Sequence, residues 1–405
     1  MKKMSRNKIA LIVQRYGREI NGGSELYCRQ IAGKLAEDYN VQVLTTCATD
    51  YYDWANHYPE GLQQVDGIPV LRFRVDQKRD RNRFDRLSSR VYHNPHASLK
   101  DQMEWMELQG PLSSALIDYI RQNRENYDVF IFMTYLYYTT FAGLRQIPEK
   151  SMLIPTAHNE PSIYMGIFYP FFHLPRAVIY LTEEEKQLVN RTFHNGYKPS
   201  DVVGIGIDLP GQIDAGAFRE KYHITGDFLI YVGRLDESKG LPHLFEYFLR
   251  YKKEHPSDLK LVLMGKAAMD IPRDPDILPL GFVSDEDKYN GMAAARLLVL
   301  PSRFESLSMS VLESMALGVP VLVNGKCDVL KGHCIRSNGG LYYTNYYEFE
   351  ECLRLLTGRK ELYEKMKENC VKYIHDHYTW TNVMAKYKKL IDQTLEDIRS
   401  QSVSG

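Results

Sequence analysis

Short β-branched apolar runs alternate with longer amphipathic stretches along this 405-residue chain, and the alternation runs twice. The first set of runs is 8–14, 41–46, 70–73, 129–133, 152–156 and 177–181; the second is 228–232, 259–264, 277–282, 297–300 and 319–323. Helical periodicity fills 24–38, 110–123, 183–193, 241–253 and 285–294. Strand–helix alternation of this kind means parallel sheets covered by helices on both faces. The seam is Val202-Val-Gly204-Ile-Gly206-Ile-Asp208, followed by Pro210 and Gly211. Glycine and proline there predict a hinge between two doubly wound halves, each of ordinary domain size. Such sheets bind ligands at the carboxyl ends of their strands, so the expected site is the cleft between two facing domains.

Composition narrows the function classes. Lys plus Arg equals Asp plus Glu at 51 each, which argues against a nucleic-acid binder with its usual basic excess. Six cysteines include no C-x-x-C pair, so reduced thiols are expected rather than a zinc or redox motif. The apolar run 9–13 is too short for a signal peptide, and no run reaches the roughly 20 apolar residues of a membrane span. The expected location is the cytoplasm. Two regions depart from the alternation. Residues 76–90 carry Lys78, Arg79, Arg81, Arg83, Arg86 and Arg90 and read as a solvated loop. The alternative is a mobile loop meeting an anionic acceptor or the inner membrane face. Residues 163–174 are rich in aromatics but broken by Pro170 and bounded by Pro175, which predicts core packing without a long helix.

Four segments carry chemistry suited to phosphates and sugars. Gly22-Gly23-Ser24-Glu25 lies between the first strand and its helix, where paired glycines admit a phosphate to free N–H groups. The spacing is not G-x-G-x-x-G, so the nicotinamide fingerprint is absent. Tyr231-Val-Gly233-Arg234-Leu-Asp-Glu-Ser-Lys239-Gly240 places two cations beside a helix start, as a departing diphosphate requires. Glu305 stands in a turn after the strand ending at Leu300, followed by Ser306 and Leu307. A local pairing of Glu305 with Arg303 is its alternative. Glu313 follows in the helix, where Ser310-Val-Leu-Glu313 also matches a capping box. The same pattern at Thr182-Glu-Glu-Glu185 reads as capping only. His158, in Pro155-Thr-Ala-His158-Asn-Glu160, follows a first-half strand and has the chemistry to hydrogen-bond a sugar or move a proton, although a lone histidine is more often structural.

The order Gly-Gly-Ser-Glu, Gly-Arg-Leu-Asp-x-x-Lys-Gly, Glu-x7-Glu and Gly-x-Pro-Val resembles the family 4 retaining glycosyltransferases, the glycosyl transferases group 1, and spans essentially the whole chain. The resemblance implies the α/β GT-B fold: two facing Rossmann-like doubly wound domains, 1–207 for the acceptor and 208–375 for the donor. A C-terminal helix, 376–400, crosses back onto the first domain. It implies that Arg234 and Lys239 hold the donor diphosphate, that Glu305 contacts the transferred sugar and Glu313 the ribose, and that His158 lies beside the sugar. Gly22, Gly23, Gly233, Val283 and the Ser306–Leu307 backbone are the further donor contacts. Lys266-Ala267 departs from the family's Gly-x-Gly after the strand ending at Met264, which puts that loop's donor contacts in doubt.

The expected reaction is retaining transfer from a nucleotide diphosphate sugar to a glycan or lipid-linked acceptor in surface-polysaccharide synthesis. No cofactor and no metal are expected. Asp274-Pro-Asp276 has metal-binding spacing but sits in a proline-rich connection, and the two cations already supply the charge. Two rival readings remain: a nucleotide-sugar 2-epimerase of the same architecture, and a non-catalytic subunit that binds sugar nucleotides.

Overall fold

In a computed structural model, residues 6–20, 22–92, 94 and 96–403 are described, with side chains to residue 400. The described chain divides after Gly204 and again after Val383. The middle portion, from Ile205 to Val383, is one compact unit. The remainder, with the return from Met384, is the other.

The first unit is built on β1 (Lys8–Ile12), β2 (Asn40–Thr46), β3 (Gly61–Val65), β4 (Ile68–Phe73), β5 (Val129–Met133), β6 (Ser151–Ile154), β7 (Ala177–Tyr180) and β8 (Ser200–Val202). Its helices are α1 (Gly23–Leu35), α2 (Arg81–Tyr92), α3 (Leu99–Gln109), α4 (Ser114–Gln122), α5 (Tyr138–Leu144), α6 (Phe168–Phe171) and α7 (Glu183–Phe193). The sheet order is β3-β4-β2-β1-β5-β6-β7-β8, and only β3, hairpinned onto β4, runs antiparallel. The strands β5, β6 and β7 are buried at every position, as two-sided covering requires.

The second unit holds β9 (Phe228–Val232), β10 (Lys260–Met264), β11 (Ile277–Gly281), β12 (Leu297–Leu300), β13 (Val321–Asn324) and β14 (Gly340–Tyr343). Around them lie α8 (Ala215–Lys221), α9 (Leu241–Glu254), α10 (Asp285–Ala294), α11 (Met309–Ala316), α12 (Asp328–Ser337), α13 (Tyr346–Gly358) and α14 (Lys360–His377). The order is β11-β10-β9-β12-β13-β14, parallel throughout. Both sheets are the doubly wound arrangement of a GT-B protein. Each reverses its strand order at one point, between β1 and β5 in the first and between β9 and β12 in the second. Loops leaving the carboxyl ends of those strands splay apart and open a crevice.

Asp376 and His377 close α14, and the chain then enters α15 (Trp380–Val403), whose residues from Met384 onward belong to the first unit. Tyr387, Leu390, Ile391 and Leu395 of α15 are buried there. Tyr27 donates to the Gly204 carbonyl at 2.9 Å and meets the Tyr387 hydroxyl at 2.6 Å, so Tyr387 is the donor to Tyr27. Lys386 caps the Val202 carbonyl at 2.7 Å.

Residues 76–90 are not one loop. From Arg81 they form α2, because Phe84, Leu87, Ser88 and Val91 recur at helical spacing and face α3. Arg83 and Arg90 pair with Glu104 and Asp101 of α3, each at 2.7 Å, so much of the cationic face is matched within the unit. Within residues 163–174, Phe168, Phe171 and Phe172 are fully buried and pack with Phe141 and Phe193, while Tyr164 and Tyr169 are exposed. No helix among the described residues is long and apolar enough to cross a membrane.

Candidate functional site

In the second unit, the loops after β9 and β12 flank the reversal point, and they carry the cations and the acidic turn singled out in the sequence. After β9 the chain turns at Gly233, passes Arg234, makes a short 3₁₀ turn at Glu237–Lys239 and starts α9 from Gly240. Gly240 has φ +79°, and a Cβ there would lie 2.5 Å from the Pro301 carbonyl oxygen. The two loops thus touch backbone to backbone, which only glycine permits at that conformation. Lys239 Nζ lies 2.7 Å from Glu305 Oε1, and both groups remain partly open to solvent. Glu305 therefore meets Lys239 from the neighbouring strand's loop, which replaces its local alternative, Arg303. Arg234 Nε sits 3.4 Å from Asp236, and its carbonyl accepts from the buried Tyr231 hydroxyl at 2.8 Å.

The acidic turn is tightly held. Ser308 enters α11 at φ +67°, a conformation that costs a non-glycine residue about 1 kcal/mol or more and that concentrates at functional sites. Asn324 Nδ2 donates to the Pro301 carbonyl at 2.9 Å. The Cys327 thiol, pushed up to about 11 mainly by burial, engages the Glu305 backbone. Leu307 is buried, and its carbonyl faces His333 Nε2 at 2.8 Å. The hydroxyls of Ser302 and Ser308 are buried without a hydrogen-bond partner among the described residues.

Because α11 begins at Met309, Glu313 is its fifth residue, and Ser310 does not cap the helix. The capping-box alternative for Glu313 therefore falls. Its carboxylate is instead drawn to α10, where Oε1 accepts from Lys288 at 3.0 Å and Tyr289 at 2.9 Å. Burial, then the Glu313 charge, pushes the Tyr289 hydroxyl well above its ordinary range. Lys288 and Tyr289 carry no motif, and only the approach of α10 to α11 reveals them. Val283 lies half-buried past the edge strand β11, two strands from β9. The Lys266 loop braces the β9 loop: Leu235 N–H donates to the Lys266 carbonyl at 3.0 Å, and Ala268 N–H to the Leu235 carbonyl at 2.8 Å.

In the first unit, α1 begins at Gly23, immediately after the loop from β1. A Cβ on Gly22 would strike the Glu25 carboxylate at 2.1 Å, whereas a Cβ on Gly23 would meet nothing within 4 Å. Gly22 thus makes room for Glu25. That carboxylate is buried in a network with Gln14, Ser24 and Arg15, the arginine also stacking near Tyr51 and Trp54. His158 follows β6, with Nδ1 3.4 Å from Glu160. Thr182 caps α7 by accepting from the Glu185 N–H at 3.2 Å, but Glu185 does more than cap. Fully buried, its carboxyl accepts from Ala157 N–H and Leu181 N–H, each at 2.6 Å, and so ties the His158 loop to the end of β7. Burial pushes Glu185 up to about 8 despite those donors.

Two acidic groups elsewhere in the second unit are engaged by neighbouring side chains. Asp276 is held by Lys252 at 3.0 Å and by Lys260, and Asp274 accepts from the Asp276 N–H. Glu254, His255 and Glu350 bring ligand atoms within 4.8 Å of one another, but His255 is bonded to Glu350 at 2.6 Å and Glu254 to Arg250 and Tyr346. All six cysteines are free, and five are buried.

His333 yields a pH prediction. Burial first, then the Arg336 charge, pushes it down from 6.5 to about 4, against the Leu307 carbonyl. The groups facing it are Tyr373 and Tyr378, with Arg336 on its own helix. Below pH 6.5 the unfolded chain takes up a proton that the folded ring refuses. This contribution to stability is full above about 6.5 and is lost as pH falls toward about 4. Between pH 7 and 4.5, wild type is expected to lose about 2–3 kcal/mol more stability than His333→Gln, measured by denaturant midpoints. Parallel losses would show that the ring titrates normally.

Residues 226–345, within the second unit, match the family described as glycosyl transferases group 1. Across 93% of its length the chain is 23% identical to an uncharacterized glycosyltransferase of Methanocaldococcus jannaschii, covering 95% of that protein. Over 25% of its length it is 29% identical to O-antigen chain mannosyltransferase B of Escherichia coli, covering 30% of it. Among solved structures, sucrose-phosphate synthase from Thermosynechococcus elongatus superposes with a TM-score of 0.69 at 15% identity, covering 96% of this chain and 99% of that one. Anabaena HepE, in complex with UDP and glucose, gives 0.67 at 14% identity, covering 96% and 100%. Residues 226–345 thus match the group 1 glycosyltransferases, and the chain has the GT-B fold of these solved structures.

Proposed function

We propose that this glycosyltransferase moves a sugar from a UDP- or GDP-linked donor to a glycan or lipid-linked acceptor, with retention and without a metal. The observation that carries the reading is the Lys239–Glu305 pair, 2.7 Å apart beside the β9/β12 reversal of the second sheet. Lys239 and Arg234 offset the charge that builds on the departing diphosphate, while Glu305 grips the sugar. Glu313, clamped by Lys288 and Tyr289, is set to accept from the ribose hydroxyls. The bond from the anomeric carbon to the diphosphate oxygen breaks, the acceptor hydroxyl bonds that carbon on the vacated face, and its proton leaves with the diphosphate. Gly233, Val283 and the Ser306–Leu307 backbone complete the donor contacts. Use in surface-polysaccharide synthesis is supported by the partial likeness to the O-antigen mannosyltransferase.

The test is a thermal-shift screen of nucleoside diphosphates and their sugars in EDTA. A ligand at about 100 times its Kd stabilises the native state by about 2.7 kcal/mol, so one base is expected to raise the midpoint with or without chelator. A shift seen only with a divalent cation overturns metal independence, and no shift with any nucleotide overturns the donor assignment. Donor incubated alone separates the rival: epimerised nucleotide sugar without acceptor would favour the 2-epimerase.

A further inference from the structure

The turn that carries Glu305 is anchored by a chain of hydrogen bonds with one permitted direction. His333, on α12, is fully buried. Its Nε2 lies 2.8 Å from the Leu307 carbonyl, and its Nδ1 lies 3.1 Å from the Tyr373 hydroxyl. A carbonyl only accepts, so Nε2 carries the proton. The ring is neutral, so Nδ1 accepts and the Tyr373 hydroxyl donates to it. The Tyr373 oxygen must then accept from Tyr378, 3.2 Å away, and it also accepts from Arg336 at 3.4 Å. The Tyr378 carbonyl in turn accepts the Ile207 N–H at 2.8 Å, so the chain starts beside the segment where the second unit begins.

The opposite ring tautomer would place a nitrogen lone pair against the Leu307 carbonyl, a repulsive contact in a dry interior. One neutral tautomer is therefore specified by the Leu307 carbonyl, and with it the orientation of the peptide unit two residues past Glu305. We propose that His333 is a positioning residue for the donor turn, its Nε2–H held on the Leu307 carbonyl and its Nδ1 satisfied by Tyr373, so that the Glu305 carboxylate stays opposite Lys239. This rests on the reading of the turn as the seat of the donor's sugar. Neither His333 nor Tyr373 lies in the motifs that carry the family resemblance.

The experiment uses the full chain and three variants. His333→Leu removes the donor to Leu307, His333→Gln restores an N–H near the Nε2 position, and Tyr373→Phe removes the donor to Nδ1. Calorimetry compares UDP with UDP-glucose and GDP with GDP-mannose, and ¹⁵N-histidine spectra report the ring. Wild type is expected to show a neutral, Nε2-protonated ring at neutral pH, and Tyr373→Phe the same tautomer with a shifted Nδ1 resonance, because only the hydrogen bond to that nitrogen is lost. His333→Leu is expected to weaken the sugar nucleotide by about tenfold or more and the free diphosphate by less than about threefold, since only the sugar meets Glu305. His333→Gln is expected to recover most of that loss.

Three results overturn the proposal: an Nδ1-protonated ring in wild type, sugar-nucleotide binding unchanged in His333→Leu, or equal losses for both ligands that Gln rescues in stability but not in binding. If wild type binds none of the four nucleotides, the donor reading itself fails. The spectra still decide whether the tautomer is set as described.

Discussion

Lys239→Ala is expected to lower donor turnover by about 10²–10³-fold while leaving the fold intact. The ammonium sits in the turn between β9 and α9, 2.7 Å from Glu305 and partly exposed. That exposure means the pair contributes at most about 1 kcal/mol to stability, so the thermal midpoint should hardly move. Turnover is a different matter. The cation is fixed before reaction where the departing diphosphate gathers charge, and one such donor is worth about 3–4 kcal/mol in the transition state. Lys239→Arg keeps the charge but not the compact ammonium, and should recover part of the rate. Lys252→Ala is the control, since that lysine pairs with Asp276 instead. Donor consumption measured alongside thermal unfolding decides the matter: full activity in the alanine variant would remove Lys239 from the diphosphate site.

Glu305→Gln is expected to reduce transfer at least about 100-fold with an opposite signature in binding. The amide keeps the size of the carboxylate and loses its charge. Lys239 is then released from its anionic partner and becomes a better host for a diphosphate. Affinity for the free nucleoside diphosphate should therefore hold or rise in Glu305→Gln and fall in Lys239→Ala. A merely structural ion pair would make the two variants fail alike. Unchanged transfer rates in Glu305→Gln would take this residue out of the sugar site.

Much of the fold was legible because buried parallel strands are short continuous apolar runs. The runs 129–133, 228–232 and 297–300 have the bounds of β5, β9 and β12. Three strands were not. β3 and β8 are half-buried edge strands with no apolar run, and β14, Gly-Leu-Tyr-Tyr, opens on a glycine. Helix α2 was hidden beneath its arginines, since four of them mask a stripe of four inward residues. The loops carrying Lys239 and Glu305 were legible because each follows a short apolar run and sets charged residues at the turn before a helix. His333, Glu185, Lys288 and Tyr289 were not. Each acts through a contact with an element distant in sequence, and nothing in its immediate neighbours announces it. Gly22 shows the converse. Its glycine was legible, but what it makes room for is the chain's own Glu25.

The path of α15 has a consequence for how the protein is made. Residues up to Gly204 emerge from the ribosome first, yet the helix that fills their core with Tyr387, Leu390, Ile391 and Leu395 is translated almost 200 residues later. The portion born first is therefore finished last, and must wait with an apolar groove open while its neighbour is synthesised. A stop codon near position 383 would injure the amino-terminal half far more than the half it interrupts.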